Sequence, residues 1–92
     1  SSKRVAIKYW VDLDGPEVDW VIECEGVLTP IEVKLHSEPK LSDAKHLRVF
    51  LSEYEEAENA YVVCQTPQRM KLDEDIYAIP WQELSGLIPR HA

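Results

Sequence analysis

The sequence predicts a mixed α/β (α+β) domain, in which a three-stranded meander opens one mixed β-sheet and a helix, one or two strands and a second helix follow. Apolar and polar residues alternate through the first third of the chain, as they do in strands with one buried face. Apolar residues then recur at helical spacing, and a short run rich in β-branched residues comes next. The resulting order, β-β-β-α-β-(β)-α, fits a mixed sheet packed in two or three layers.

The first elements follow from this alternation and from the turn residues between them. We predict a first strand at Val5–Val11 and a turn at Asp12–Pro16, which contains the Asp, Gly and Pro that favour turns. Residues Glu17–Leu35 then form a β-hairpin. Its loop is predicted at Glu25 and Gly26, because a two-residue loop of this kind joins two alternating segments.

The two-residue loop sets the register of the hairpin, since residues equidistant from it face each other. Asp19 is then opposite Glu32, and Glu17 is opposite Lys34. These charged residues share one face of the hairpin. The other face is mostly apolar and carries Val18, Trp20, Ile22, Ile31 and Val33.

A helix is predicted after the hairpin, with Ser42 as its N-cap. Apolar residues lie along one face of it over about three turns. They are Ala44, Leu47, Phe50, Leu51 and Tyr54. We expect this face to pack against the apolar face of the hairpin, mainly through Leu47, Phe50 and Leu51.

The last third of the chain alternates strands and loops. Ala60–Cys64 is a short apolar run that predicts a buried strand, and Ile76–Ile79 predicts another. The segment between them, Gln65–Asp75, is predicted to be a loop with a weak strand around Arg69–Leu72. Pro80–Leu84 predicts a final helix with proline in its first turn.

The composition is that of one small folded domain. Of the 92 residues, 45% are hydrophobic and only three are glycine, so we expect residues 1–92 to form a single packed unit. The chain starts at Ser1 and its only methionine is Met70, which indicates a fragment or a processed product. No apolar run approaches the ~20 residues of a membrane span, and no secretory segment is recognised.

The two cysteines, Cys24 and Cys64, lie on predicted strands and lack CxxC spacing. Reduced, buried thiols are expected for such residues, and they are typical of intracellular proteins. We therefore expect a cytoplasmic location.

Asp19, Glu32 and Lys34 form the candidate site. Two carboxylates can hold a hard divalent cation, and a lysine two residues beyond the glutamate points to the same side of the strand. Facing carboxylates repel each other, so stability alone would not select this pair. A Glu-x-Lys triplet by itself means little, since the chain contains a second one at Glu38-Pro39-Lys40, where proline argues against a central strand.

The same residues also fit a solvated polar face, and the charge of the chain argues against a nuclease. The formal net charge is −7, whereas proteins that grip DNA usually carry a basic surface. The segment 34–48 is mildly basic, however, and adjoins the candidate site.

The motifs resemble the restriction-endonuclease-like PD-(D/E)XK superfamily. More closely, the chain resembles the C-terminal domain of unknown function that follows an AAA-type ATPase domain in many bacterial and archaeal proteins. The likeness covers most of the chain. It is seen in Tyr9-Trp10, Asp14-Gly15-Pro16-Glu17-Val18-Asp19-Trp20-Val21-Ile22 and Pro30-Ile31-Glu32-Val33-Lys34. Within these, Glu17-Val18-Asp19 and Ile31-Glu32-Val33-Lys34 are the specific blocks.

This resemblance implies a restriction-endonuclease-like core and a metal-dependent nuclease acting on DNA. Asp19 and Glu32 would hold Mg²⁺ or Mn²⁺ with the backbone carbonyl of Val33, and Lys34 would orient the attacking water or stabilise the phosphate. An N-terminal ATPase domain of the same protein would be the partner. Glu17 is either a further ligand or a surface partner of Lys34. The alternative function is a non-catalytic module for binding or oligomerisation of that ATPase.

Overall fold

Six strands form one mixed sheet in a computed structural model that describes residues 5–8 and 17–88. The strands are β1 Val5–Lys8, β2 Trp20–Cys24, β3 Val27–Val33, β4 Ala60–Cys64, β5 Met70–Asp73 and β6 Ile76–Pro80. Helix α1 spans Lys45–Glu53, and two 3₁₀ helices span Leu41–Ala44 and Trp81–Leu87. The strand order across the sheet is β1-β2-β3-β4-β6-β5.

The sheet combines an antiparallel meander with a parallel centre. Strands β1, β2 and β3 pair antiparallel, as predicted, and β3, β4 and β6 run parallel. Parallel neighbours need a crossover connection, and α1 lies in the connection between β3 and β4. The predicted weak strand around Arg69–Leu72 is β5, which pairs antiparallel with β6 at the sheet edge. The mixed α+β architecture is therefore confirmed.

The predicted hairpin register is confirmed. Trp20 pairs with Ile31 and Cys24 pairs with Val27. The loop between them has positive φ at Glu25 (51°) and at Gly26 (84°). Positive φ at both central residues is what a type I′ hairpin turn requires, and its twist matches that of the flanking strands.

The start of the first helical segment differs from the prediction that Ser42 is its N-cap. The chain turns at Lys40, whose backbone N–H donates to Oδ2 of Asp43 at 2.9 Å. The backbone N–H of Asp43 in turn donates to the Lys40 carbonyl at 2.9 Å. Asp43 thus ties down the turn and a 3₁₀ helix precedes α1, because a carboxylate three residues along can reach back to this backbone N–H.

The other predicted elements need smaller corrections. The part of the predicted strand Val5–Val11 that the structure describes is strand β1, and residues 9–16 lie outside the described residues. The final helix is a 3₁₀ helix, and Pro80 ends β6 instead of occupying the first helical turn.

The prediction that α1 covers the face bearing Trp20, Ile31 and Val33 is wrong. Helix α1 lies on the opposite face, where Leu47 and Phe50 pack with a cluster from the sheet. That cluster includes Val18, Val21, Leu28, Ala60, Val62, Cys64, Ile76 and Ala78. The face with Ile31 instead contacts the second 3₁₀ helix, with a core of Ile22, Ile31, Val63 and Ile79.

The physical reason is that the sheet is covered on both sides. Alternation shows which residues share a face, but both faces of β2 and β3 contain apolar side chains. Val21, Leu28 and Pro30 are all buried on the α1 face. Of the five apolar hairpin residues predicted to share the face under α1, only Val18 joins its core cluster, and Val18 precedes the first residue of β2.

Two further features of the described residues complete the fold. Within residues 5–8 and 17–88, no helix is long and apolar enough to cross a membrane. Cys24 is half-buried, Cys64 is buried, and both are free thiols.

Candidate functional site

The candidate site lies on the α1 face, where β2 begins and β3 ends. Glu32 is the penultimate residue of β3, and Asp19 immediately precedes the first residue of β2. The regular β2–β3 pairing ends at Trp20 and Ile31, and the backbone N–H of Asp19 donates to the carbonyl of Ile31 at 3.1 Å, one residue short of Glu32. Asp19 still acts on Glu32 through its charge.

The Asp19 carboxylate is fixed to the neighbouring strand. Its Oδ2 accepts the backbone N–H of Val33 at 2.8 Å, a position that a backbone carbonyl takes in an ordinary ladder. The N–H and C=O groups of one strand residue point to the same side of the strand. The carbonyl of Val33 is therefore directed toward the Asp19 side of β3.

Glu32 is the only acid in the described part of the chain that is classed as buried, with 7% of its surface exposed. Burial raises the pKa of its carboxyl above the ordinary value, and the negative charge of Asp19 raises that pKa further. The positive charges of Lys34 and His46 oppose both effects. Glu32 thus lies where a negative charge is disfavoured by the surroundings, which is a common property of functional carboxylates.

Lys34 accompanies Glu32 on the same side of the chain. Its Nζ lies 3.6 Å from Oε2 of Glu32, and its backbone N–H donates to the carbonyl of Val63 in β4 at 2.9 Å. This backbone hydrogen bond continues the parallel pairing beyond β3 and fixes the position of the Lys34 backbone. About a third of that side chain remains accessible, at 38%, so the ammonium group can reach a ligand from solvent.

The other charged residues considered from the sequence have different positions. Glu17 is exposed and lies before β2. Glu38 and Lys40 are exposed in the connection between β3 and the first 3₁₀ helix. The second Glu-x-Lys triplet therefore lacks both a strand and a facing acid, which separates it structurally from Glu32 and Lys34.

His46, in the first turn of α1, was not predicted as a site residue. Its charge acts on Glu32, yet in sequence it follows Glu32 by fourteen positions. The one available signal was its place beside Leu47, a residue on the predicted apolar face of the helix. Its place beside Leu47 indicates that His46 borders the core, but it does not indicate which strand of the sheet lies next to His46.

The donor set fits Mg²⁺ better than a metal that prefers nitrogen or sulfur ligands. Within the described residues, no three or more His, Cys, Asp and Glu side chains are grouped to hold a metal. Two carboxylates and a backbone carbonyl, from Asp19, Glu32 and Val33, remain. Mg²⁺ commonly binds proteins through one or two carboxylates and keeps several of its waters. The raised pKa of Glu32 also means that a cation would relieve an unfavourable local charge.

The opposite face of the sheet has a different kind of surface. An apolar cavity of about 300 Å³ lies between the sheet and the second 3₁₀ helix. Its lining includes Ile7, Trp20, Val33 and Ile88. The first three of these side chains are substantially exposed.

Comparison with known families gives a match. A family model described as a domain of unknown function, DUF4143, matches residues 1–84. No curated protein and no solved structure shows a significant match to the chain. Because the matched segment covers most of the sequence, the chain belongs to the DUF4143 family.

Proposed function

We propose that this chain is a PD-(D/E)XK nuclease-like domain with a restriction-endonuclease-like core, which hydrolyses phosphodiester bonds of DNA with Mg²⁺. One observation carries the proposal. A buried glutamate, Glu32, lies within the field of Asp19 and 3.6 Å from the ammonium of Lys34. This arrangement costs stability in the absence of a cation, and it supplies the groups that a metal-dependent phosphodiesterase needs.

Each residue has a distinct task in this proposal. The carboxylates of Asp19 and Glu32, with the Val33 carbonyl, would hold the cation. When bound, Mg²⁺ polarises a phosphate oxygen and makes hydroxide available near neutral pH. Lys34 is a compact positive charge on a flexible stem. It would either orient the attacking water or stabilise the negative charge on the phosphate.

The attached partner in the proposal is an AAA-type ATPase domain of the same protein. The net charge of −7 gives this domain little general attraction for DNA. A separate domain that moves or grips DNA would remove the need for a basic surface here. The local charge at the site is more favourable, since Lys34 and His46 lie beside the two acids.

A nuclease assay on the full chain tests the proposal. Labelled DNA is incubated with Mg²⁺ or Mn²⁺, and cleavage is compared between the wild type and Asp19→Asn, Glu32→Gln and Lys34→Met. We expect each substitution to lower the rate by about a hundredfold or more, the typical loss when one preorganised charged group is removed. Glu38→Gln in the exposed triplet is the matched control and keeps the wild-type rate. Cleavage that persists in EDTA, or in Asp19→Asn, contradicts the proposal.

A second candidate function is a non-catalytic module for binding or oligomerisation of the ATPase. The apolar cavity on the opposite face favours it, because exposed apolar surface often marks an interaction site. Sedimentation of the wild type and of Val33→Asp distinguishes this function from catalysis. Self-association that Val33→Asp abolishes and Asp19→Asn preserves supports the module. A wild type that stays monomeric at all concentrations contradicts the oligomerisation form of this candidate.

A further inference from the structure

Helix α1 presents two different polar residues on its two flanks. Arg48 extends toward the turn between β5 and β6, where its Nη2 lies 2.9 Å from Oδ2 of Asp73 and donates to the Glu74 carbonyl at 2.8 Å. With 3.6 residues per helical turn, His46 and Arg48 are about 200° apart around the helix axis. The fully buried side chains of Leu47 and Phe50 lie between the two flanks and contact the sheet.

This geometry directs His46 toward β3. The strand order is β3-β4-β6-β5 across this part of the sheet, and Arg48 already marks the β5 side. The opposite flank therefore faces the strand that carries Glu32. The electrostatic influence of His46 on Glu32 agrees with this placement.

His46 acts electrostatically on Glu32 but is not grouped with the two carboxylates. In the described part of the chain, no trio of His, Cys, Asp or Glu is arranged to bind one metal ion. His46 is thus not a third ligand beside Asp19 and Glu32. It is exposed to solvent, on the flank of α1 that faces β3.

We propose that His46 donates a hydrogen bond to the phosphate group bound at the Asp19–Glu32 site, and so acts as a substrate-positioning residue. This inference rests on the proposed function, since it concerns the substrate of the same site. An imidazole has at least one N–H in either protonation state, so the contact does not depend on the charge of the ring. A hydrogen bond to a charged oxygen is among the stronger ones in proteins.

Fluorescence anisotropy with a labelled, phosphorothioate-linked DNA duplex tests the proposal, because this probe resists hydrolysis while it binds. With Mn²⁺ present, we expect His46→Ala to weaken binding by about tenfold, the loss typical of one hydrogen bond to a charged group. His46→Gln retains an N–H donor at similar reach and restores most of the affinity. In EDTA, His46→Ala and the wild type bind equally.

Two controls separate substrate positioning from other roles. Lys45 is exposed and lies about 200° from Leu47 around the helix, so its side chain projects away from the sheet. Lys45→Ala should change the Mn²⁺-dependent affinity by less than twofold. The thermal stabilisation of His46→Ala by Mn²⁺ alone should equal that of the wild type, because the donor set is intact.

The possible outcomes distinguish this inference from the function on which it rests. If Asp19→Asn abolishes Mn²⁺-dependent binding while His46→Ala binds like the wild type, His46 does not contact the phosphate and the nuclease proposal stands. If His46→Ala loses the Mn²⁺ stabilisation, or if His46→Gln fails to restore affinity, the positioning role is overturned. If the wild type shows no Mn²⁺-dependent binding, both proposals fail together.

Discussion

The two faces of the sheet share the same strands and differ in how they are covered. On the α1 face, Leu47 and Phe50 are completely buried and Glu32 is 7% exposed. On the other face, a shorter 3₁₀ helix leaves Ile7 52% exposed and Trp20 44% exposed. The better covered face thus contains the buried acid, and the less covered face exposes apolar side chains.

This difference shows where stability and function coincide. A buried carboxylate destabilises the fold unless it is paired or binds a cation. Glu32 is such a carboxylate, and it lies on the face of the sheet that has the larger core. The core can tolerate one unfavourable group because many apolar contacts surround it. The 3₁₀ face has a smaller core, of Ile22, Ile31, Val63 and Ile79, and its exposed apolar residues affect surface properties more than stability.

The largest expected effect is on the α1 face. Truncating Phe50 to Ala removes a fully buried ring, and we expect it to lower the free energy of unfolding by about 3–5 kcal/mol. Leu84→Ala, at a half-buried residue of the second 3₁₀ helix, should cost less than about 2 kcal/mol. Urea denaturation measures both values. Equal losses for the two variants, or a loss below about 1 kcal/mol for Phe50→Ala, would remove the asymmetry between the faces.

A matched pair of valines, one on each face, sharpens the comparison, and the expected effect on stability is of intermediate size. Val62 in β4 is completely buried under α1, and Val33 in β3 is 41% exposed on the other face. Replacing Val62 by Thr buries a hydroxyl among apolar neighbours, and we expect a loss of about 1–3 kcal/mol. Val33→Thr should change the stability by less than about 0.5 kcal/mol. Thermal unfolding of both variants gives the contrast, and a larger loss at Val33 would contradict it.

The smallest expected effect on stability is that of Glu32→Gln in the absence of metal. Burial and Asp19 raise the pKa of Glu32, so the folded protein holds this proton more tightly than the unfolded chain does. The resulting stability is complete below the ordinary pKa of 4.5, and it is lost as pH rises through the raised folded pKa. Glu32→Gln removes this loss, so its stability should fall less with rising pH than that of the wild type.

At neutral pH, Glu32→Gln should therefore be more stable than the wild type by up to about 1 kcal/mol, the size of a like-charge contact across a strand pair. Glu38→Gln, which alters the exposed triplet, should follow the wild-type pH curve. Denaturant unfolding at several pH values in EDTA measures this. A Glu32→Gln variant that is less stable than the wild type at neutral pH would mean that Lys34 and His46 outweigh burial and Asp19.

The sequence allowed the hairpin register to be predicted, because two alternating strands and the loop at Glu25 and Gly26 permit only one pairing. It did not reveal which face α1 covers, since Val21 and Leu28 make the second face apolar as well. The helical segment starts before Ser42 because the Asp43 carboxylate accepts the backbone N–H of Lys40, and only the path of the backbone reveals this bond.

In the candidate site, too, the residues close in sequence could be predicted, and the residue brought in by tertiary packing could not. Asp19, Glu32 and Lys34 could be predicted because one hairpin contains all three. His46 could not, because its position near Glu32 depends on the rotation and placement of α1 over the sheet. The packing of Leu47 and Phe50 against the sheet fixes that rotation. The helical pattern shows that these residues share the buried face of the helix, but it does not show which strands they contact.

The most direct test of the account is whether Asp19 and Glu32 bind one divalent cation. A ligand that binds only the folded state adds RT ln(1 + [L]/Kd) to its stability, so Mn²⁺ at about 100 times its Kd should add about 2.7 kcal/mol to the wild type. Thermal unfolding of the full chain with and without Mn²⁺ measures this gain. The account predicts that the gain disappears in Asp19→Asn and in Glu32→Gln and remains in Glu38→Gln. No gain in the wild type, or an equal gain in all four proteins, would contradict it.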